Sequence, residues 1–179
     1  MKKIFLLAIV ATILVACEDT IGDSSLIGGA WELITLDMDG TVSADQTGQS
    51  HYSDKPYTQK YDNKENVWLF KDNYITKWSQ FTQNGESIWS GYADNASHSF
   101  VVEGAGQTMV IVETTKFVVG MEERTGVTRY QVEKLTKNQM ILTTTVTPYI
   151  SDSNATVKVN EKYSFKRENT LLDFLKSAQ

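Results

Sequence analysis

Between Ala30 and Phe165 apolar side chains return at every second position, in run after run, with short polar breaks between the runs. A period of two sends neighbouring side chains to opposite faces of an extended chain, so each run predicts a strand with one face turned inward. Trp31, Leu33 and Thr35 share one parity. VWLFKDNYITKW predicts two strands joined by a tight turn at Lys71-Asp72-Asn73, because Asp and Asn tolerate turn backbone. SIWSGYA and SHSFVVE follow, separated by Asp94-Asn95, and the GAGQT stretch (Gly104 to Thr108) predicts another turn. In TMVIVETT, Met109, Val110, Ile111 and Val112 are apolar on both parities, which predicts cover on both faces.

TRYQVEKLT and QMILTTTV predict a hairpin around Lys137-Asn138, with Met140, Leu142, Thr144 and Val146 on one face. In TVKVNEKYSFKR, Val157, Val159, Tyr163, Phe165 and Arg167 share a face, and Glu161 is the one acid on that inward parity. The period then changes. Leu171, Leu172, Phe174 and Leu175 predict a short amphipathic helix at the C-terminus, capped by Asn169 or Thr170. Eight to ten half-buried antiparallel strands must close on themselves or stack as two sheets to hide their edges, so the fold class is all-β.

The first 16 residues follow a different rule. Lys2 and Lys3 precede an apolar run from Ile4 to Ala16, broken only by Thr12 and too short to span a bilayer. The only cysteine of the chain, Cys17, comes next. A lone thiol has no partner for an internal disulfide, so the body must be held by packing. A cysteine directly after Leu-Val-Ala resembles the lipobox of bacterial lipoproteins. That resemblance implies lipid attachment to Cys17, cleavage before it, and a membrane partner reached through the acyl chains, in the cell envelope and at the outer membrane. Loss of Lys2 and Lys3 would take the formal net charge from −5 to −7. Acidic balance with no Lys/Arg cluster argues against nucleic acid.

Candidate chemistry is sparse. His51 and His98 are the only histidines, neither lies in a hydrolase or zinc motif, and both are read as surface residues. The DMDGT stretch (Asp37 to Thr41) lacks the later ligands of a calcium loop and is read as a hairpin turn. No enzyme activity, cofactor or metal is expected. The aromatics are more suggestive. Trp68, Phe70, Trp78, Trp89 and Tyr92 come from three neighbouring strands and are candidates for lining an apolar ligand pocket, with plain core filling as the alternative. The segment from Asp37 to Asn66 is read as one long loop that Tyr52, Tyr57 and Tyr61 could anchor over a barrel mouth, or as a mobile surface loop.

Gly29-Ala30-Trp31 resembles the Gly-x-Trp that opens the first strand of lipocalins, and YSFKR resembles the final strand of bacterial lipocalin-like lipoproteins. WLFKDNYIT and YQVEKLTKNQMIL are similar to that family's second-strand region and late hairpin. The resemblance implies an up-and-down barrel over residues 27–179, after a leader at 1–16 and a lipidated tether at 17–26. It further implies that Trp31 and Arg167 stack to close one end. Such a monomeric domain would bind a small apolar or amphipathic ligand, or, with a filled barrel, a protein or a glycan.

Overall fold

The computed structural model describes residues 21–44, 50–62, 65–83, 86–91, 96–147 and 157–169. The alternating runs fold as twelve strands: β1 (Gly29–Met38), β2 (Thr41–Ala44), β3 (Ser50–Ser53), β4 (Tyr57–Lys60), β5 (Asn66–Lys71), β6 (Tyr74–Gln83), β7 (Glu86–Gly91), β8 (Ala96–Glu103), β9 (Val110–Val119), β10 (Glu122–Leu135), β11 (Gln139–Val146) and β12 (Val159–Glu168). Eight of them close an antiparallel barrel in the order β1-β5-β6-β8-β9-β10-β11-β12, with β12 returning to β1. β4 and β7 extend the wall beside β1 and β6, and β2 pairs with β3 as a separate hairpin. The all-β antiparallel fold expected from the alternation is therefore present, and it closes as the barrel that the resemblance implied rather than stacking as two sheets. The expected helix at Leu171 to Leu175, the leader, Cys17 and the Asp94-Asn95 turn lie outside the described residues.

Local chemistry explains the hairpins. Asp72 and Asn73 both take positive φ, 53° and 65°, between the paired ends Lys71 and Tyr74. That is the backbone whose twist matches a two-residue hairpin. Three expectations are corrected. Asp37 to Thr41 is not a hairpin turn, since the strands on either side do not pair: β1 pairs with β4, β5 and β12, and β2 with β3. The Asp37–Asn66 segment is not a single loop, since β2, β3 and β4 form within it and β4 pairs with Thr35 to Met38 of β1. Thr35 does not share the inward face of Trp31 and Leu33. The register slips between Leu33 and Thr35, so that Thr35 opposes Ser164 and Leu36 opposes Tyr163. One inserted residue flips every later side chain, and Leu36 and Met38 take the inward positions instead.

One end of the barrel is shut. Trp31 and Arg167 stand opposite each other in the β1–β12 register, and the guanidinium lies 3.9 Å from the indole centroid. The same guanidinium donates to the backbone oxygens of Leu26, Gly28 and Lys137. Trp31 Nε1 donates to Ile27 O at 2.7 Å. Gly29 has φ 108°, and a Cβ there would fall 2.8 Å from Arg167 Nη1, so the glycine is required by both backbone and clearance. Residues 21–26 lie against this end, with Ser24–Leu26 as a 3-10 turn capped by Asp23 and Gly22 N donating to Leu135 O.

The interior changes character along the barrel axis. From the shut end up to Trp68 and Tyr130 most inward side chains are buried, among them Leu33, Phe70, Ile111, Val132, Met140, Leu142 and Phe165, with Phe100 and Val102 of β8 partly buried against them. Above that level the inward positions Leu36, Met38, Thr115, Phe117, Thr128, Glu161 and Tyr163 are half-buried, whereas Thr144 and Val159 on the same face are buried. The barrel thus has a filled base and a less tightly buried upper level, called the cup below.

Candidate ligand-binding site in the barrel interior

A charged cluster sits where base meets cup. Glu113 continues the inward parity of Met109 and Ile111 on β9 and is 1% exposed. Its Oε2 accepts from Lys77 Nζ of β6 and from the Tyr130 hydroxyl of β10, both at 2.9 Å. Its Oε1 lies 2.6 Å from His98 Nδ1 of β8, which is also 3.2 Å from Thr115 Oγ1. Lys77 Nζ stands 4.2 Å from the Trp68 ring centroid. Trp68 in turn meets Phe165 at 5.0 Å, Tyr163 at 5.3 Å and Tyr130 at 5.7 Å between centroids. Aromatic contacts at these spacings add to plain burial and hold the floor rigid.

The environment sets the charges. Burial alone would raise the Glu113 carboxyl, but the Lys77 ammonium and the bonds from Lys77, Tyr130 and His98 outweigh it and hold the carboxyl below the usual glutamate range. Burial, followed by the Glu113 charge, pushes the Tyr130 hydroxyl well above the ordinary tyrosine value. Tyr163 is raised in the same way by burial and by its bond to Glu161. Both phenols therefore remain donors at any physiological pH.

The cluster also joins the wall. β6 meets β8 at a single bridge pair, Tyr74 with Ser99, supported by Phe100 N donating to Asn73 O. Above it β7 occupies the edge of β6 from Trp78 upward. Lys77 of β6 and His98 of β8 come from the two sides of this thin seam and hold the same carboxylate, so side-chain bonds do there what a strand ladder does elsewhere.

Of the five candidate pocket aromatics, the three whose side chains are described do not share one face. Trp68 and Phe70 belong to the base. Trp78 opposes Val67 on the outer face, because the β5–β6 register places Lys77, not Trp78, beside Trp68. Trp89 lies in β7 opposite Gln80. Its side chain, and Tyr92 altogether, fall outside the described residues. His51 is exposed. His98 is not a surface residue; its side chain is 13% exposed and turned inward. Sequence reasoning missed Glu113 and Lys77, although an acid on the inward parity of an apolar strand was a usable signal for the first.

A cleft of about 740 Å³ lies elsewhere, along the outer face of β9 to β12 and up to the rim, where it touches Met38, Thr144 and Glu161. Its two cations are paired, Arg129 with Glu103 at 2.8 Å and Lys162 with Glu133 at 3.0 Å. Buried titratable groups with shifted pKa values mark functional sites more often than exposed ion pairs do, which favours the interior as the site. Among the described residues no group of three or more His, Cys, Asp and Glu is placed to hold a metal ion. In comparisons with known proteins no family model matches the chain, and no curated protein matches it.

Proposed function

We propose that the chain is a lipocalin-like lipoprotein of the bacterial envelope, moored to the outer membrane through acylated Cys17, whose barrel binds a small apolar or amphipathic ligand without catalysis. The binding reading rests on one observation: the interior is filled up to Trp68 and Tyr130, and above them seven inward positions from Leu36 to Tyr163 are half-buried, with Thr144 and Val159 buried among them. A rigid floor under an open, largely pre-formed wall is the shape that small-molecule sites take. The polar cluster at the floor would orient a ligand with one polar end. The anchoring reading rests on the leader and the lone thiol of Cys17, since two or three acyl chains hold a protein to a bilayer almost permanently.

Two measurements test these parts separately. Cys17→Ser should abolish incorporation of labelled palmitate and move the protein from the membrane to the soluble fraction; membrane retention without label would refute the anchor. A neutral naphthylamine dye should brighten with the protein and be displaced by a long-chain alcohol, with a change in tryptophan emission from Trp68. No brightening would remove the cup as a binding site. The outer cleft supports a second reading, a protein- or glycan-binding face on a barrel with no internal ligand, and that outcome would favour it.

A further inference from the structure

Glu161 stands apart from the other charges of the interior. Among the described side chains turned inward, Lys77 and Glu113 neutralise each other at 2.9 Å. Glu122 and Arg124 pair at 3.4 Å beyond the cup on the β9–β10 hairpin. Glu161 has no cation opposite it. Its Oε2 accepts from the Tyr163 hydroxyl, and among the described residues no donor reaches its Oε1.

Its neighbours are soft and aromatic. Tyr57 of β4, Met38 of β1, Glu161 of β12 and Thr144 of β11 form one row of directly opposed residues across four strands. Tyr163, two residues further along β12, adds a second ring. Tyr57 is 45% exposed, a large ring left at the rim of the cup. Asp37 and Asp39 border the cleft at the same end, whereas the cleft's cations Arg129 and Lys162 are engaged by Glu103 and Glu133. Among the described residues that line the cleft, Asp37, Asp39 and Glu161 thus make no ion pair, a local excess of carboxylate that draws cations in. Ammonium groups are held by a carboxylate and by the faces of aromatic rings.

We propose that the cup selects positively charged amphiphiles, with an ammonium head on Glu161 between Tyr57 and Tyr163 and the hydrocarbon part over the Trp68 floor. This deepens the ligand-binding reading and rests on it. The test uses the full chain carrying Cys17→Ser, three probes of equal chain length (decyltrimethylammonium, decanol and decanoate) below their micellar concentrations, and displacement of the neutral dye. Decyltrimethylammonium should bind at least about tenfold more tightly than decanol, and decanoate more weakly than either, as the energy of a partly desolvated cation on aromatic rings allows. Glu161→Gln keeps an acceptor for the Tyr163 hydroxyl, so the barrel should persist; it should erase the preference for the cation and leave decanol unchanged. Equal binding of all three probes, tighter binding of decanoate, or a preference that survives Glu161→Gln would overturn the proposal while leaving the ligand-binding reading in place. Failure of all three to displace the dye would overturn both.

Discussion

Glu113→Ala is expected to lower the free energy of unfolding by about 3–5 kcal/mol, the loss that follows when one partner of a buried ion pair is removed. The carboxylate answers three donors, Lys77 Nζ, His98 Nδ1 and the Tyr130 hydroxyl. Without it the ammonium of Lys77, whose side chain is 21% exposed, is left against the Trp68 ring with no counter-charge, and a buried phenol loses its acceptor. A domain of this size has only about 5–15 kcal/mol in total, so the variant should be marginal. Urea unfolding followed by tryptophan emission gives the loss, and hydrogen exchange should show β6 and β8 opening first, because the strand ladder between them is a single bridge pair. A loss under about 1 kcal/mol, the scale of an exposed pair, would show that the cluster is solvated. Glu113→Leu combined with Lys77→Met should recover much of the loss, since an apolar pair of similar volume removes both charges together.

The same carboxylate predicts an acid response. Its folded-state pKa is held below the ordinary glutamate value of 4.5, so protonation is harder in the folded than in the unfolded chain. The stabilisation is then fully present above that value and is lost as pH falls through the depressed folded-state pKa. Between pH 5 and pH 3 the midpoint of unfolding should fall more steeply for the natural chain than for Glu113→Gln. Parallel curves would show that Glu113 carries no linkage.

Arg167→Ala is expected to lower stability by about 2–3 kcal/mol, the sum of a cation–aromatic contact and charge-assisted bonds to backbone oxygens, discounted for partial exposure. The guanidinium stacks on Trp31 and ties Leu26, Gly28 and Lys137 to the last strand. Ligand affinity should not change, because this plug lies at the end of the barrel away from the cup. Arg167→Lys should restore less than half of the loss, since a point charge cannot stack and reach several carbonyls at once. Weaker ligand binding at unaltered thermal stability would mean that this end is part of the site.

Much of the fold was legible. The runs around Trp68, Tyr130, Met140 and Phe165 became β5, β10, β11 and β12, and the turns at Asp72-Asn73 and Lys137-Asn138 join the strands they were expected to join. Alternation and turn chemistry act within a few residues, so a single chain displays them. The candidate site was less legible. Glu161 could be singled out, because it breaks a parity set by its own neighbours. Trp78 was grouped with Trp68 because both are aromatic and near, yet the pairing of Trp68 with Lys77 sends them to opposite faces.

The sequence by itself determined that the body is a set of half-buried antiparallel strands, that its last strand carries an arginine on the apolar side, and that the one cysteine follows an apolar run at residues 4–16. Only the tertiary structure decided that one residue inserted near Ile34 turns Leu36 and Met38 inward, that β12 closes on β1, and that Lys77, His98 and Tyr130 converge on Glu113 from 36, 15 and 17 residues away. Alternation states which side chains share a face of one strand. Register between strands distant along the chain depends on packing and on ladder bonds that form only when the barrel closes.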